Sequence, residues 1–420
     1  MKKLLVVGAG KSATALIHYL SGKAGKYKWE VTVADHDEKL LTGKTHHLPG
    51  IHTAVMDITC SRQRREHIRK NDLVLSLMPP HLHILLAKDC LQYKKNLITS
   101  SYISEEMREM DPAVRAAGLM FMGEMGLDPG LDHMVASRIM QSIRRVAGDI
   151  ISYKSYCGGL IAPEYVNPPW RHKISWNPRN IVLAGMGGAQ YLDHGKLVEI
   201  PYESLFTRTH RIRIDGVGTL SYYPNRDSLH YINLYDIPET RTILRATLRY
   251  PNFCKGWDSV VRLGLTMPDD QFDTTNMTVR SWIRQKTGFT GAAENLPAFI
   301  AQKLHVQPDS LTIRMLAALG LWEDTPLKPG LHSSADILED LLVEKWHMEA
   351  WEQDMVVMQH EVAYTGKAKH ANLTSTMVLK GENRELSAMA KTVGLPMGIL
   401  AKLIMTERVN PMPGVHIPVA

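Results

Sequence analysis

Short apolar runs and amphipathic stretches alternate along the first 125 residues. The apolar runs lack the every-second-residue alternation of a sheet with one face in water. Such runs are typical of strands buried on both faces of a parallel sheet, and the amphipathic stretches between them predict helices. The runs that predict strands are 4–7, 31–35, 53–57, 73–78, 96–102 and 119–125. We therefore expect an α/β domain with a parallel sheet here.

The pattern changes after the sequence GLDPG at 126–130. The following segments resemble strands of a mixed, partly antiparallel sheet, with helical stretches among them. The last thirty residues return to a helix followed by a strand. We expect a first domain over 1–125, completed by 391–420. A second, mixed-sheet α/β (α+β) domain is expected over 126–390.

Composition excludes several classes of protein. Apolar residues make up 44% of the chain, but none of their runs reaches the ~18 residues of a membrane span. The N-terminal run at 4–7 is too short for a secretory signal. Four cysteines are scattered without a C-x-x-C pair, which favours reduced thiols and a cytoplasmic protein.

Charge and histidine spacing also argue against nucleic acid and metal. The net charge of +6 is spread along the chain, and the basic run at 62–69 is interpreted as the solvated face of a helix. The pairs His46-His47 and His81-x-His83 lack further ligands at metal-binding spacing. We expect no nucleic-acid partner and no bound metal.

A glycine motif follows the first predicted strand. Gly8, Gly10 and Ala13 read G-x-G-x-x-A, with Lys11 and Ser12 between the last two. The first glycine permits a tight turn, the second lets a pyrophosphate approach the backbone, and the small third residue lets the helix pack on the strand. The strand, motif and helix together predict a Rossmann domain that binds a dinucleotide.

Acidic and polar residues at the ends of later strands extend this prediction. Asp35 ends the second strand, where a carboxylate accepts hydrogen bonds from the adenosine ribose and repels a 2′-phosphate. This favours NAD, although His36 and Lys44 keep NADP possible. Asp57 is expected to flank the adenine. Ser76 and Leu77, from the predicted strand at 73–78, are expected beside the cofactor crevice.

Several segments converge on one family. In order they are SSYIS (100–104), GLDPGLDH (126–133), YCGGLIAPE (156–164), ISWNPRN (174–180), YPNRDS (223–228) and ATLRYPNF (246–253). Together they closely resemble saccharopine dehydrogenases of the glutamate-forming type. The resemblance covers essentially the whole chain. It implies reversible conversion of saccharopine and water to glutamate and α-aminoadipate semialdehyde with NAD or NADP, a step of lysine metabolism, in a homodimer.

The resemblance also implies roles for individual residues. It places a first set along the cofactor, namely Ser100, Ser101, Leu127, Asp128, Pro129 and Ser175. It places a second set on the substrate, namely Ser101, Tyr102, Asp128, Arg226, Thr247, Leu248 and Arg249. The sequence Asp35-His36-Asp37 resembles the NAD-using members, which argues against a biosynthetic, NADP-linked role.

The substrate's chemistry fits these residue types. Saccharopine carries three carboxylates, and arginine presents the fork that matches a carboxylate plane. Arg226 and Arg249 are therefore candidate carboxylate ligands, with surface ion pairs as the alternative. Asp128 and Tyr102 are candidate acid–base residues, with a turn carboxylate and a packed core tyrosine as the alternatives.

Two neighbouring residues and two other functions stay open. His133 is interpreted as structural, and Cys157 as a packing residue near the site. One alternative is a dehydrogenase of another carboxylated secondary amine, such as carboxynorspermidine. The other is a catalytically silent nucleotide-binding scaffold. Against the scaffold, Asp128, Arg226 and Arg249 are present together with the cofactor glycines.

Overall fold

The computed structural model describes residues 1–146, 148–366 and 369–419. The chain folds into two compact units. Unit 1 comprises Met1–Arg145 and Lys380–Ala420, and unit 2 comprises Val146–Leu379. The sequence places the change at 126, ahead of the helix Leu131–Arg144, which lies in unit 1. The change of sequence pattern and the boundary between the units therefore fall at different places.

Unit 1 is built on parallel strands. They are β1 Lys2–Val7, β2 Trp29–Asp35, β3 Ile51–Val55, β4 Leu73–Ser76, β5 Asn96–Thr99, β6 Met120–Met122 and, from the end of the chain, β16 Gly414–His416. Its helices are α1 Thr14–Tyr27, α2 Glu38–Thr45, α3 Ser61–Lys70, α4 His83–Gln92, α5 Glu105–Glu109, α6 Asp111–Ala116, α7 Leu131–Arg144 and α16 Ala388–Met405.

The strand order in unit 1 is β16-β6-β5-β4-β1-β2-β3, and these neighbouring strands pair in parallel. Apolar clusters cover both faces of the sheet. The order reverses between β1 and β4, and ligands bind outside the carboxyl ends of strands at such a switch point. The predicted Rossmann-type fold is confirmed, and the last segment of the chain contributes α16 and β16 to this unit.

Unit 2 holds the mixed sheet. Its strands are β7 Asp149–Ile161, β8 Ala189–Asp193, β9 Lys196–Ile200, β10 His210–Ile214, β11 Gly218–Pro224, β12 Arg226–Asp227, β13 Thr242–Arg249, β14 Asp354–Gly366 and β15 Lys369–Lys380. Its helices are α8 Arg179–Val182, α9 Tyr202–Leu205, α10 His230–Leu234, α11 Phe253–Arg262, α12 Val279–Thr287, α13 Leu296–Leu304, α14 Leu311–Ala318 and α15 Ser334–Lys345.

The main path of this second sheet runs β10-β11-β13-β7-β14-β15. Strands β13 and β7 pair in parallel, whereas β11 with β13 and β14 with β7 pair antiparallel. A cluster rich in tryptophan lies among the helices, with Trp257 and Trp282 fully buried. The predicted mixed α/β architecture is confirmed.

One local expectation was wrong. The basic run at 62–69 is helix α3, but Arg64 is buried and its Nε donates to Asp89 Oδ2 at 2.5 Å. The buried carboxylate of Asp89 on α4 therefore pairs with two arginines of this run, since the exposed Arg65 also donates to its Oδ1 at 2.9 Å. Helix α16 is long and apolar enough to span a membrane by length and composition, although no apolar run suggested one. It is more than half buried and packs on α1, as core helices do.

Candidate active site

The glycine loop lies at the carboxyl end of β1. Gly8 has a φ of +99°, and a Cβ there would lie 3.3 Å from the Leu77 backbone, so only glycine fits the turn. At Gly10, in contrast, nothing lies within 4 Å of the position a Cβ would take. The open space beside Gly10, at the start of the helical segment that leads into α1, fits a pyrophosphate approaching the backbone.

Asp35 is buried at the end of β2 and faces the same loop. Its Oδ2 accepts from the Ala9 backbone N–H at 2.7 Å, and its Oδ1 accepts from the Asp37 N–H at 3.2 Å. The exposed His36 places Nδ1 3.0 Å from the same Oδ1. Asp35 therefore holds the loop in place by hydrogen bonding, and it also lies where the ribose is expected.

Lys44 of α2 is turned toward the loop instead of outward. Its Nζ donates to the Gly10 carbonyl at 2.9 Å and to Thr14 Oγ1 at 2.6 Å. Glu385, from the returning segment of unit 1, lies 3.7 Å from the same Nζ. Burial lowers the pKa of Lys44, and Glu385 opposes that shift. The amine is thus engaged in holding the loop, which weakens its candidacy as a 2′-phosphate ligand.

Asp57 and Ser76 have local partners of their own. The exposed Asp57 accepts from the N–H and the hydroxyl of Thr59, and these bonds lower its pKa. Ser76 is fully buried, and its Oγ lies 2.9 Å from His83 Nδ1. His83 is buried as well. Burial lowers its pKa to about 4, so the imidazole is neutral at pH 7.

Two loops meet beyond β5 and β6. The predicted strands 96–102 and 119–125 end early, at Thr99 and Met122, which frees their last residues as loops. Glu124 N–H donates to the Ser101 carbonyl at 3.1 Å and Met125 N–H to the Thr99 carbonyl at 2.9 Å. These backbone bonds hold Ser100 to Tyr102 against the turn that carries Asp128.

The turn itself depends on two glycines. A Cβ on Gly126 would lie 2.8 Å from the Ser100 carbonyl oxygen, and one on Gly130 would lie 2.1 Å from the Gly126 oxygen. In this tight loop Leu127 and Pro129 are buried and Asp128 is partly exposed. The Tyr102 hydroxyl donates to Asp128 Oδ1 at 3.4 Å. The structure thus brings together the two residues predicted for acid–base chemistry.

A buried pair under this turn was not predicted as a unit. His133 Nε2 lies 2.8 Å from Glu124 Oε2, and Glu124 Oε1 accepts from the Ile103 N–H at 3.2 Å. Both side chains are almost fully buried. Glu124 has a φ of +56°. The pair links both loops to α7, and nothing in the sequence signals it because its members face each other only after folding.

Unit 2 carries four of the predicted substrate residues, in different surroundings. Thr247, Leu248 and Arg249 lie at the end of β13, with Thr247 opposite Cys157 of β7. Arg249 is only 5% exposed, whereas Arg226 is exposed and has a φ of +56°. Ser175 is buried in the segment before α8.

Arg249 is a buried cation among aromatic rings. Its guanidinium lies 5.2 Å from the centre of the Phe253 ring and 6.0 Å from that of Tyr223. Its Nη1 donates to the Leu248 carbonyl at 3.1 Å, but its Nε has no hydrogen-bond partner among the described residues. A buried guanidinium with a donor left over is the group expected of a carboxylate site.

The described residues contain no group of three or more His, Cys, Asp or Glu side chains that could hold a metal ion. The candidate groups are the glycine loop and the Tyr102–Asp128 pair in unit 1 and the buried Arg249 in unit 2. The switch-point sheet and its glycine loop define unit 1 as a dinucleotide-binding domain of the Rossmann type.

The comparisons with known proteins place this domain in one family. Residues 4–122 match the family model for the saccharopine dehydrogenase NADP binding domain, and residues 126–420 match that for the saccharopine dehydrogenase C-terminal domain. The chain belongs to the saccharopine dehydrogenase family.

Similar proteins cover most of this chain. The mitochondrial alpha-aminoadipic semialdehyde synthase of Bos taurus is 34% identical over 97% of the chain, which spans only 44% of that protein's length. The NADP(+), L-glutamate-forming saccharopine dehydrogenase of Saccharomyces cerevisiae is 33% identical, covering 96% of this chain and 91% of that one.

Solved structures agree with this placement. The apo saccharopine dehydrogenase (L-Glu forming) of S. cerevisiae superposes with a TM-score of 0.87 at 31% identity, over 100% of this chain and 94% of that one. The homospermidine synthase of Legionella pneumophila, solved with NAD, has a TM-score of 0.51 at 11% identity and shares the fold alone.

Proposed function

We propose that the chain is a glutamate-forming saccharopine dehydrogenase of lysine metabolism. It converts saccharopine, water and the oxidised dinucleotide reversibly to L-glutamate, 2-aminoadipate 6-semialdehyde, the reduced dinucleotide and a proton. The observation that carries the substrate class is the buried Arg249, whose free Nε donor and positive charge call for a carboxylate. The yeast relative that bears this name in full is similar over nearly its whole length.

Unit 1 holds the cofactor in this proposal. The backbone from Gly8 to Ala13 receives the pyrophosphate, with Lys11 and Ser12 in the first helical turn, and Asp35 accepts from the adenosine ribose. Asp57, Ser76 and Leu77 border the adenine and the crevice. We propose NAD as the preferred dinucleotide because of the carboxylate of Asp35, although the fungal relatives are named for NADP.

The chain's own residues then handle the proton and orient the substrate. A bound dinucleotide would supply the hydride acceptor for the carbon next to the secondary amine. Asp128 takes the amine proton on its carboxylate, and the Tyr102 hydroxyl orients that carboxylate through Oδ1. Ser100, Ser101, Leu127, Pro129 and Ser175 line the cofactor. Arg226, Thr247, Leu248 and Arg249 hold the substrate.

The remaining proposals concern organisation. Unit 1 binds the cofactor, and unit 2 carries substrate binding and homodimer formation. The protein acts in the cytoplasm on a small-molecule substrate. Gel filtration with light scattering tests the homodimer, which predicts about twice the chain mass of 47.3 kDa.

Absorbance at the NADH band tests the function. With saccharopine and NAD we expect steady NADH formation, faster than NADPH formation with NADP. Replacing Arg249→Ala should lower kcat/KM by about 10- to 100-fold, because a charge-assisted bond to a carboxylate is lost. Arg211→Ala, on the exposed β10, is the matched control and should leave kcat/KM unchanged.

Two results would contradict the proposal. A chain that binds NADH but turns over saccharopine with neither dinucleotide is not a saccharopine dehydrogenase. Turnover of a polyamine-derived imine would then assign it to the carboxynorspermidine type. If that imine is not turned over either, the catalytically silent nucleotide-binding scaffold is the interpretation that remains.

A further inference from the structure

Two buried nitrogen atoms in unit 2 lack hydrogen-bond partners and flank the same ring. Among the described residues, Arg249 Nε and His172 Nε2 have no hydrogen-bond partner. Both residues are more than nine-tenths buried. The guanidinium of Arg249 lies 5.2 Å from the centre of the Phe253 ring, and the His172 ring centre lies 5.0 Å from it. Both groups therefore contact the same ring, and Arg249 lies near enough for its charge to act on His172.

The aromatic side chains that pack on His172 offer it no hydrogen-bond acceptor. Besides Phe253, the His172 ring packs on Trp346, with ring centres 5.0 Å apart. Neither ring carries a carbonyl or carboxylate acceptor. The neighbouring Lys173 is already paired with Glu352 at 2.5 Å, so that carboxylate is engaged elsewhere. Within the described chain, the positive charge of Arg249 has no ion-pair partner.

A carboxylate is the ligand that would fit both groups. Leaving a buried donor unsatisfied carries a free-energy penalty, which is larger for a charged group. A carboxylate offers two oxygens with about four lone-pair sites, enough for both Arg249 Nε–H and the N–H of a histidine protonated at Nε2. It also supplies a negatively charged partner for the guanidinium.

We propose that His172 binds the same substrate carboxylate as Arg249, as a second and uncharged donor. This rests on the proposed function, and it adds a residue that neither the motifs nor the family resemblance assigned. His172 thereby contributes to selecting a carboxylated substrate and to positioning it.

The charge state of His172 suits this role. Burial, followed by the nearby Arg249, holds the pKa of His172 well below its usual value, so the ring is neutral at pH 7. From the elements packed against it, Arg249 of β13 is the charged group; Phe253 and Trp346 carry no charge. A neutral donor can sit beside a guanidinium without repelling it, whereas a second cation there would.

Calorimetry with glutarate, a simple dicarboxylate, tests the site in the full chain without relying on turnover. We expect His172→Phe, which keeps the ring but not the N–H, to weaken glutarate binding by about tenfold or more. His172→Gln, which keeps an N–H donor, should recover most of the affinity. His347→Gln, at an exposed histidine that contacts Glu349, is the matched control and should bind like the wild type.

Kinetics separate a ligand from a structural residue. We expect His172→Phe to raise the saccharopine KM by the same factor as the glutarate Kd, with kcat and NADH affinity nearly unchanged. Wild-type glutarate affinity in His172→Phe overturns the proposal. Equal losses of kcat, NADH affinity and glutarate affinity in the Phe and Gln variants overturn it as well, because they indicate a folding role.

Nuclear magnetic resonance covers the case in which the phenylalanine variant does not fold. In the wild-type protein, the imidazole resonance assigned through His172→Gln should shift on titration with glutarate, and an unshifted resonance rejects the site. If saccharopine is not turned over but this resonance shifts, the proposed function fails while the carboxylate site stands.

Discussion

At the scale of the residue, Asp35 shows how one carboxylate combines a structural bond with a predicted ligand contact. Its Oδ2 is occupied by the Ala9 N–H, so removing the side chain would loosen the glycine loop as well as the ribose site. Cofactor choice depends on the charge, and loop geometry depends on the acceptor oxygen. A substitution that keeps one and removes the other can separate the two effects.

Asp35→Asn is that substitution. It retains an acceptor for the Ala9 N–H but removes the charge that repels a 2′-phosphate. We expect the ratio of kcat/KM for NADP to that for NAD to rise about tenfold, near 1.4 kcal/mol, as for a charge pair at intermediate dielectric. Steady-state rates with each dinucleotide measure it.

The control lies two residues further on. Asp37 caps α2 by accepting from the Leu40 N–H at 3.0 Å, a bond that asparagine also makes. Asp37→Asn should leave the cofactor ratio unchanged. An unchanged ratio in Asp35→Asn would show that the charge of Asp35 does not select the dinucleotide.

Sequence could predict the residues of the site that belong to local motifs, and not those that meet only in the fold. Gly8, Gly10 and Asp35 are visible because strand, turn and helix spacing fixes them. Tyr102 and Asp128 were found through the family segments, and the structure places them in contact. His172 carries no local signal, because Arg249, with which it is proposed to share a ligand, lies 77 positions further along the chain (249 − 172).

At the scale of the element, the contact between α1 and α16 is unusually close. A Cβ on Gly394 would lie 2.9 Å from the Leu16 backbone nitrogen, and one on Gly398 would lie 2.8 Å from Tyr19. The two glycines are four positions apart, so they lie on one face of α16 and let its backbone approach α1. Because α1 follows the glycine loop, this contact supports the cofactor site.

Gly394→Ala tests that support. The added methyl group must displace backbone, so we expect a loss of about 1–3 kcal/mol in the free energy of unfolding, with weaker NADH binding. Urea denaturation and fluorescence titration measure the two effects.

A second glycine-to-alanine change provides the comparison. Gly43 lies exposed within α2, with nothing within 4 Å of its Cβ position. Gly43→Ala should be neutral or stabilise by up to about 1 kcal/mol, since alanine is the better helix former. If both variants behave alike, the α1–α16 contact is not tight in solution.

Elements were predicted better than their ends. The parallel strands and the returning helix and strand follow from apolar runs and helical periodicity. The ends of β5 and β6 were placed three residues too late, since 102 − 99 and 125 − 122 both give 3. A strand ends where its neighbouring strand no longer pairs with it, which is a property of the tertiary structure. Apolar residues such as Tyr102 and Met125 continue the hydrophobic pattern beyond that point, so the sequence does not show the end of the strand.

At the scale of the whole molecule, buried neutral histidines link folding to pH. Burial lowers the pKa of His83 to about 4, while the unfolded chain binds a proton near 6.5. Between these values the unfolded state holds more protons, so stability falls as pH drops from 6.5 to 4 and does not fall further through this group. The shift corresponds to about 3 kcal/mol.

Urea denaturation at pH 4.5 and pH 7.0 checks this with His83→Asn as the reference. The variant has lost the titrating ring, so its stability should differ less between the two pH values than that of the wild type. Comparing differences removes the pH-independent cost of the substitution. Equal pH dependence in both proteins would show that His83 titrates normally in the folded state.

The returning segment also sets an order of events on the ribosome. Residues 388–416, which supply α16 and β16, are synthesised after all of unit 2. Until they emerge, the nascent chain presents an unpaired β6 edge and the uncovered Leu16 face of α1, both of which favour association with other chains. Of the two units, the one with the parallel sheet therefore starts earlier along the chain and is completed later, so this edge and this face stay exposed while unit 2 is being made.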